Sequence, residues 1–81
     1  MKYLLVFNPH ARRYSREAEA AIAAQAAKIL KTRAITVTRT VPRHDGPAWG
    51  YDIEGFEHHS RGVDCVVAVG GDGTVNIVAS A

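Results

Sequence analysis

Every position from Tyr3 to Phe7 is apolar, on both alternating faces alike, which is how a strand reads when layers cover it on each side. The pattern predicts a strand over Lys2–Phe7, stopped by Asn8-Pro9 because proline cannot donate to a ladder and biases its predecessor away from helix. From Ser15 to Lys31 the period changes. Seven alanines fall within seventeen residues, and Ala18, Ile22, Ala26 and Ile29 or Leu30 form an apolar stripe at steps of three and four. Ser15 suits an N-cap. Glu17 and Glu19 near the start, with Lys28 and Lys31 near the end, complement the helix dipole. Ala34–Val41 then alternates strictly, with Ile35, Val37 and Val41 on one face and Thr36, Thr38 and Thr40 on the other, as a half-exposed edge strand does. Pro42–Gly50 reads as a loop, and Tyr51–Ser60 as a weak helix whose apolar side is Ile53 and Phe56. Asp64–Val69 is a second doubly apolar strand. It runs into Gly70-Gly71-Asp72-Gly73-Thr74, and Val75–Ala81 follows as two helical turns.

Strands alternating with helices imply βαβ units, a parallel sheet and right-handed crossovers. The expected class is therefore α/β, in three α/β/α layers. The two doubly apolar strands belong side by side in the interior and the Ala34 strand outside them, a spatial order of 2-1-3. An interior-type strand would then lie at an open end of the sheet, a hazard that proteins normally cover. Two expectations follow: the chain is the N-terminal piece of a longer polypeptide, or it forms a homo-oligomer by pairing that edge with a copy of itself.

Composition narrows the class. At 81 residues there is room for one domain, burying only about 60% of its unfolded surface. With 47% hydrophobic and 22% charged residues, disorder and low-complexity classes are excluded. The single cysteine, Cys65, excludes a disulfide framework and suits packing in a reducing, cytoplasmic setting. The longest apolar stretches, Tyr3–Phe7 and Cys65–Val69, fall far short of the ~20 residues of a membrane span, and Asn8-Pro9-His10 interrupts any signal-peptide core. A net charge of +2 and a pI near 9.0 do not call for nucleic acid, but they suit a phosphorylated ligand.

The glycine-rich loop carries the chemistry. Gly70, Gly71 and Gly73 can take positive φ angles and bring backbone amides close to a ligand, and the helix they lead into offers its unpaired N–H groups and positive dipole end to an anion. The Asn8-Pro9-His10 turn leaves the neighbouring strand at the same carboxyl edge, where α/β sheets bind ligands. Arg12 and Arg13 lie there to clamp phosphate oxygens. The dinucleotide fingerprint would need a glycine at Asn76, and the Walker loop a Gly-Lys-Ser/Thr; neither is present.

Gly70-Gly71-Asp72-Gly73-Thr74-Val75-Asn76 after an apolar strand, with Asn8-Pro9 ending the first strand, resembles the catalytic domain of diacylglycerol and sphingosine kinases. Bacterial lipid kinases are among these, and the core of the motif is shared with NAD kinases and phosphofructokinases. The resemblance covers nearly the whole chain, read as the N-terminal part of the ATP-binding domain, and it implies a lipid-binding second domain beyond Ala81. It also implies ATP with Mg2+ as cofactors, phosphoryl transfer to a lipid hydroxyl, and contacts to the nucleotide from Asn8, Thr40 and Gly71, Asp72, Gly73, Thr74, Val75, Asn76 and Ile77. The position usually acidic in the family is Ile77 here, and Ala11 and Arg12 replace a small residue and glycine. The family's catalytic base and metal-associated acids map beyond these residues, so the 81 residues alone are expected to be inactive. Two alternatives are an NAD kinase-like enzyme fragment and a noncatalytic nucleotide-binding or oligomerising module.

Individual residues admit more than one reading. Asp72 serves equally as a catalytic base or magnesium neighbour and as a turn residue bonding its own loop. Arg13, with Arg12 and Arg16, suits phosphate or a peripheral contact with an anionic membrane, although a solvated cluster accounts for at least two of the three. His44, His58 and His59 lack the partners of a metal site. Trp49 and Tyr51 suit either adenine stacking or cover for the sheet.

Overall fold

The computed structural model describes residues 1–43 and 50–80, apart from the side chain of residue 72. Strand β1 (Tyr3–Phe7) is followed by α1 (Arg16–Leu30), β2 (Ile35–Pro42), β3 (Tyr51–Ile53), the single turn α2 (Phe56–His59), β4 (Cys65–Val69) and α3 (Asp72–Ala79). The four strands lie in the order β3-β2-β1-β4. β1 runs parallel to both β2 and β4, in the register Leu5↔Val37 and Leu5↔Val67.

Alternation along β1 sends Leu4 and Val6 to one face and Leu5 and Phe7 to the other, and all four are buried. Leu4, Val6 and Ile53 form the core on the first face, beneath Phe56, Val63, Ile77 and Val78 from the α2 and α3 side. α1 packs on the opposite face, where the Phe7 ring meets Tyr14 edge-on at 6.5 Å. Helices on both faces of a mostly parallel sheet make the three-layer α/β unit that the pattern predicts, with β4 at an edge as expected.

Four expectations need correction. The weak helix over Tyr51–Ser60 begins instead as β3, antiparallel to β2 with Thr40↔Ile53 and Pro42↔Tyr51. Ile53 is buried there, and Gly55, at φ +61, turns the chain into α2. β2 is consequently interior, and its threonine face is covered as well at its C-terminal half: Thr38 is 3% and Thr40 1% exposed. Hydroxyls go inside where they find acceptors, and Thr38 Oγ1 donates to the Glu54 carbonyl at 2.6 Å.

The apolar stripe of α1 also faces differently. Ile22 is 40% and Ile29 68% exposed, while the inward side carries Glu19 and the half-buried Ala23, Ala26 and Ala27. A carboxylate with partners on the sheet outweighs two isoleucines in setting the helix's rotation. The ends of α1 are as expected: Ser15 accepts from Ala18 N at 3.0 Å, and Lys31 closes the helix in the left-handed region. Finally, α3 starts at Asp72, so Gly73 is helical rather than part of a turn. Most of the Pro42–Gly50 loop, residues 44–49 with His44 and Trp49, lies outside the described residues.

Candidate functional site

β1 and β4 are parallel neighbours with Phe7 level with Val69, so the segments that follow them leave the sheet at one edge. After β1 the chain makes two successive turns, closed by Ala11 N to Asn8 O at 3.0 Å and Tyr14 N to Ala11 O at 3.1 Å. The Asn8 side-chain oxygen accepts from His10 N at 3.0 Å and from Thr40 Oγ1 at 3.2 Å. Two internal donors fix which end of the amide is oxygen and leave its NH2 as the group Asn8 can offer outward. Asn8, Ala11, Arg12 and Arg13 form one wall of a cleft of about 490 Å³, and Gly70, Gly71, Gly73 and Thr74 form the other.

The loop after β4 departs from the expected glycine geometry. Gly70 alone of its three glycines takes a positive φ, +148. A Cβ there would lie 2.5 Å from Thr74 Oγ1. Gly71 is extended, φ −89 and ψ −166, and is the N-cap of α3 without a side chain to cap it. Its carbonyl accepts from Thr74 N at 3.0 Å and Val75 N at 3.2 Å. A helix gives its first amides no internal acceptor, so those of Asp72 and Gly73 are available at the positive end of the dipole. A Cβ on Gly71 or Gly73 would meet nothing within 4 Å; the space in front of them is open. Thr74 is 1% exposed, and its hydroxyl has no hydrogen-bond partner among the described residues.

The remaining residues singled out in the sequence divide. Asn76 and Ile77 line a second cleft, of about 360 Å³, with Arg43, Tyr51 and Asp52. Val75 is half exposed and borders neither cleft. Thr40 lies beneath the first cleft and reaches it through Asn8. His10 turns towards Tyr51, ring centroids 5.8 Å apart. The Asp72 side chain lies outside the described atoms. No group of three or more His, Cys, Asp or Glu residues among the described ones is arranged to hold a metal.

One cluster beside the cleft was missed from the sequence. Glu19 on α1 accepts from Arg39 Nε at 2.8 Å and Tyr14 OH at 2.5 Å, and its second oxygen is bonded by Arg39 Nη2. Burial pushes the Glu19 carboxyl up, but the bonds from Arg39 and Tyr14 outweigh it and hold the group below its ordinary value. Arg39 is raised, chiefly by its bond to Glu19. The signal was available: Arg39 shares strand parity with Ile35, Val37 and Val41, and a charge on a covered face requires a partner. This cluster ties α1 to β2 and fixes Tyr14, the last residue of the turn that carries Arg12 and Arg13.

A mostly parallel sheet whose adjacent strands end in an arginine-bearing turn and an uncapped glycine-rich helix start is consistent with part of an α/β nucleotide-binding domain. The family model for the diacylglycerol kinase catalytic domain matches residues 2–81, and the chain belongs to that family, among the kinases within the transferases. No curated protein and no solved structure matches it significantly. No helix among the described residues is long and apolar enough to cross a membrane.

Proposed function

We propose that this chain is the ATP-binding part of a lipid kinase that transfers the γ-phosphate to a lipid hydroxyl. One observation carries the reading: the turn bearing Arg12 and Arg13 faces, across one cleft, a helix start with open space before Gly71 and Gly73 and a buried Thr74 hydroxyl that has no partner among the described residues. A buried polar group left unpaired costs about 1–3 kcal/mol, and a ligand oxygen near Thr74 would offset that. Such a lining fits phosphate.

When bound, ATP with magnesium supplies the transferable phosphoryl group and neutralises part of its charge. The residues of this chain would hold and orient it. The amides of Asp72 and Gly73 donate to phosphate oxygens at the dipole's positive end, the Asn8 NH2 adds a neutral donor, and Arg13 adds a charge-assisted one. Fixed donors of this kind stabilise the charge that spreads over phosphoryl oxygens in transfer. Asp72 is assigned the acid–base or magnesium-neighbouring role at the mouth of the loop. Asn76 and Ile77, further along α3, border the second cleft, which is assigned to the rest of the nucleotide. In this reading the lipid site belongs to a second domain, and contact with the membrane is peripheral.

Calorimetric titration with ATP and with adenosine tests the proposal. Binding of ATP that is tighter than that of adenosine, and weakened by Gly71→Val, is the expected result. Equal affinity for the two, or ATP affinity indifferent to the substitution, would refute it.

A further inference from the structure

At the opposite edge of the sheet, far along the strands from the phosphate cleft, a groove of about 270 Å³ is lined by Lys2, His58, His59 and Arg61, with Ala34, Thr36 and Val63 as its floor. The four polar groups come from three separate places: the residue before β1, the α2 turn, and the link between α2 and β4. No carboxylate among the described residues lines the groove. Among the described residues none lies within ion-pair distance of Lys2 or Arg61; the two ion pairs found there are Arg39–Glu19 and Arg43–Asp52. Asp64 turns its Oδ2 to the Lys2 backbone amide at 2.7 Å, while its own amide bonds the Lys2 carbonyl at 2.9 Å. Asp64 thus anchors Lys2 without occupying the groove.

Two glycines shape the walls. Gly55, at φ +61, leaves room for the His59 ring, which a Cβ would approach to 2.9 Å. Gly62, at φ +71, has its bare Cα side turned to Lys2, and a Cβ there would lie 3.9 Å from Nζ. The His58 and His59 rings meet edge to face at 5.4 Å. A lysine and an arginine lining one concavity, with no acid among its lining residues, concentrate positive potential where an anion would enter.

We propose that this groove is a second anion site, which takes a phosphate group through Lys2 and Arg61 as charged donors, with His58 and His59 adding ring N–H donors. Both a soluble phosphate and an anionic lipid headgroup carry this chemistry. The experiment follows backbone and imidazole NMR signals of the whole chain during titration with inorganic pyrophosphate. In parallel, it measures co-sedimentation with phosphatidylcholine vesicles, with and without phosphatidic acid. Expected are saturable shifts at Lys2, His58, His59 and Arg61, persisting in Arg13→Ala and weakened about tenfold in Lys2→Gln and in Arg61→Gln, as loss of a charge-assisted hydrogen bond requires. Groove shifts with pyrophosphate and no dependence on phosphatidic acid identify a soluble ligand. Vesicle binding that needs phosphatidic acid and is lost in the same two variants identifies a headgroup. Neither response, or responses indifferent to Lys2→Gln and Arg61→Gln, would overturn the proposal, while shifts confined to Gly70–Thr74 would do so and leave the nucleotide reading standing.

Discussion

The hydroxyl of Thr40, at the end of β2, donates to the side-chain oxygen of Asn8 at 3.2 Å, so a fully buried strand residue sets the orientation of a residue on the cleft wall. Thr40 acts through Asn8 and has no surface of its own in the cleft. Thr40→Val keeps the shape and removes the donor. A stability loss of about 1 kcal/mol and a several-fold weaker ATP affinity are expected, with the affinity restored in Thr40→Ser. Denaturant unfolding and calorimetry check this, and a Thr40→Ser variant as weak as Thr40→Val would show that the hydroxyl is irrelevant.

Gly70 and Gly71 should fail in different ways. Gly70→Ala places a Cβ on a residue at φ +148 and against Thr74, for a stability cost of about 1–3 kcal/mol. Gly71→Ala meets nothing in the protein, so stability should change by less than about 0.5 kcal/mol. ATP affinity should still drop, because the added methyl occupies the space in front of the helix amides. Melting curves beside binding curves separate the two. A destabilised Gly71→Ala protein would contradict the extended geometry at that residue.

Arg13→Ala should weaken binding of the triphosphate more than that of adenosine, by about tenfold for one charge-assisted contact. Parallel titrations decide it, and equal losses for both ligands would remove Arg13 from the phosphate wall.

The Glu19 carboxyl is held below its ordinary value of 4.5 in the fold. A lowered folded-state pKa contributes stability at pH above the unfolded value, and that stability is lost as pH falls from about 4.5 through the folded value. Glu19→Gln leaves Arg39 without its anion, at a cost of about 1–3 kcal/mol near neutrality, and should flatten the acid limb of the stability profile. Chemical denaturation between neutral and acid pH measures both. An acid limb as steep in the variant as in the parent would assign it to other carboxylates.

Among the described residues β4 pairs only with β1, at the end of the sheet. Sedimentation of the chain should show mass rising with concentration as free edges pair. A monomer at every concentration would exclude pairing through β4.

The parallel framework was legible because β1 and β4 are apolar on both faces, the pattern of strands that carry layers on each side, and because Ser15 and the alanine run specify α1 locally. β3 was not legible. Three residues carry too little period to outvote the helical spacing of Ile53 and Phe56, and the pairing with Thr40 that creates the strand is long-range. That same pairing turned β2 from an edge into an interior strand and buried the threonine face. At the site, Gly70–Thr74 and Asn8-Pro9 were readable as motifs. Which glycine bears the unusual φ, and that Asn76 and Ile77 turn to a different cleft from Gly71, depend on where α3 begins.

α1 is fastened to the sheet by a carboxylate and a guanidinium, with small alanines beneath it and its isoleucines turned to solvent. Small apolar contacts resist sliding weakly, whereas a two-pronged charged clasp admits one angular setting. The helix is therefore indexed like a key in a slot: exchanges among its outer side chains should leave its alignment alone, while a conservative change at either half of the clasp would let it rotate and carry the adjoining arginine turn with it.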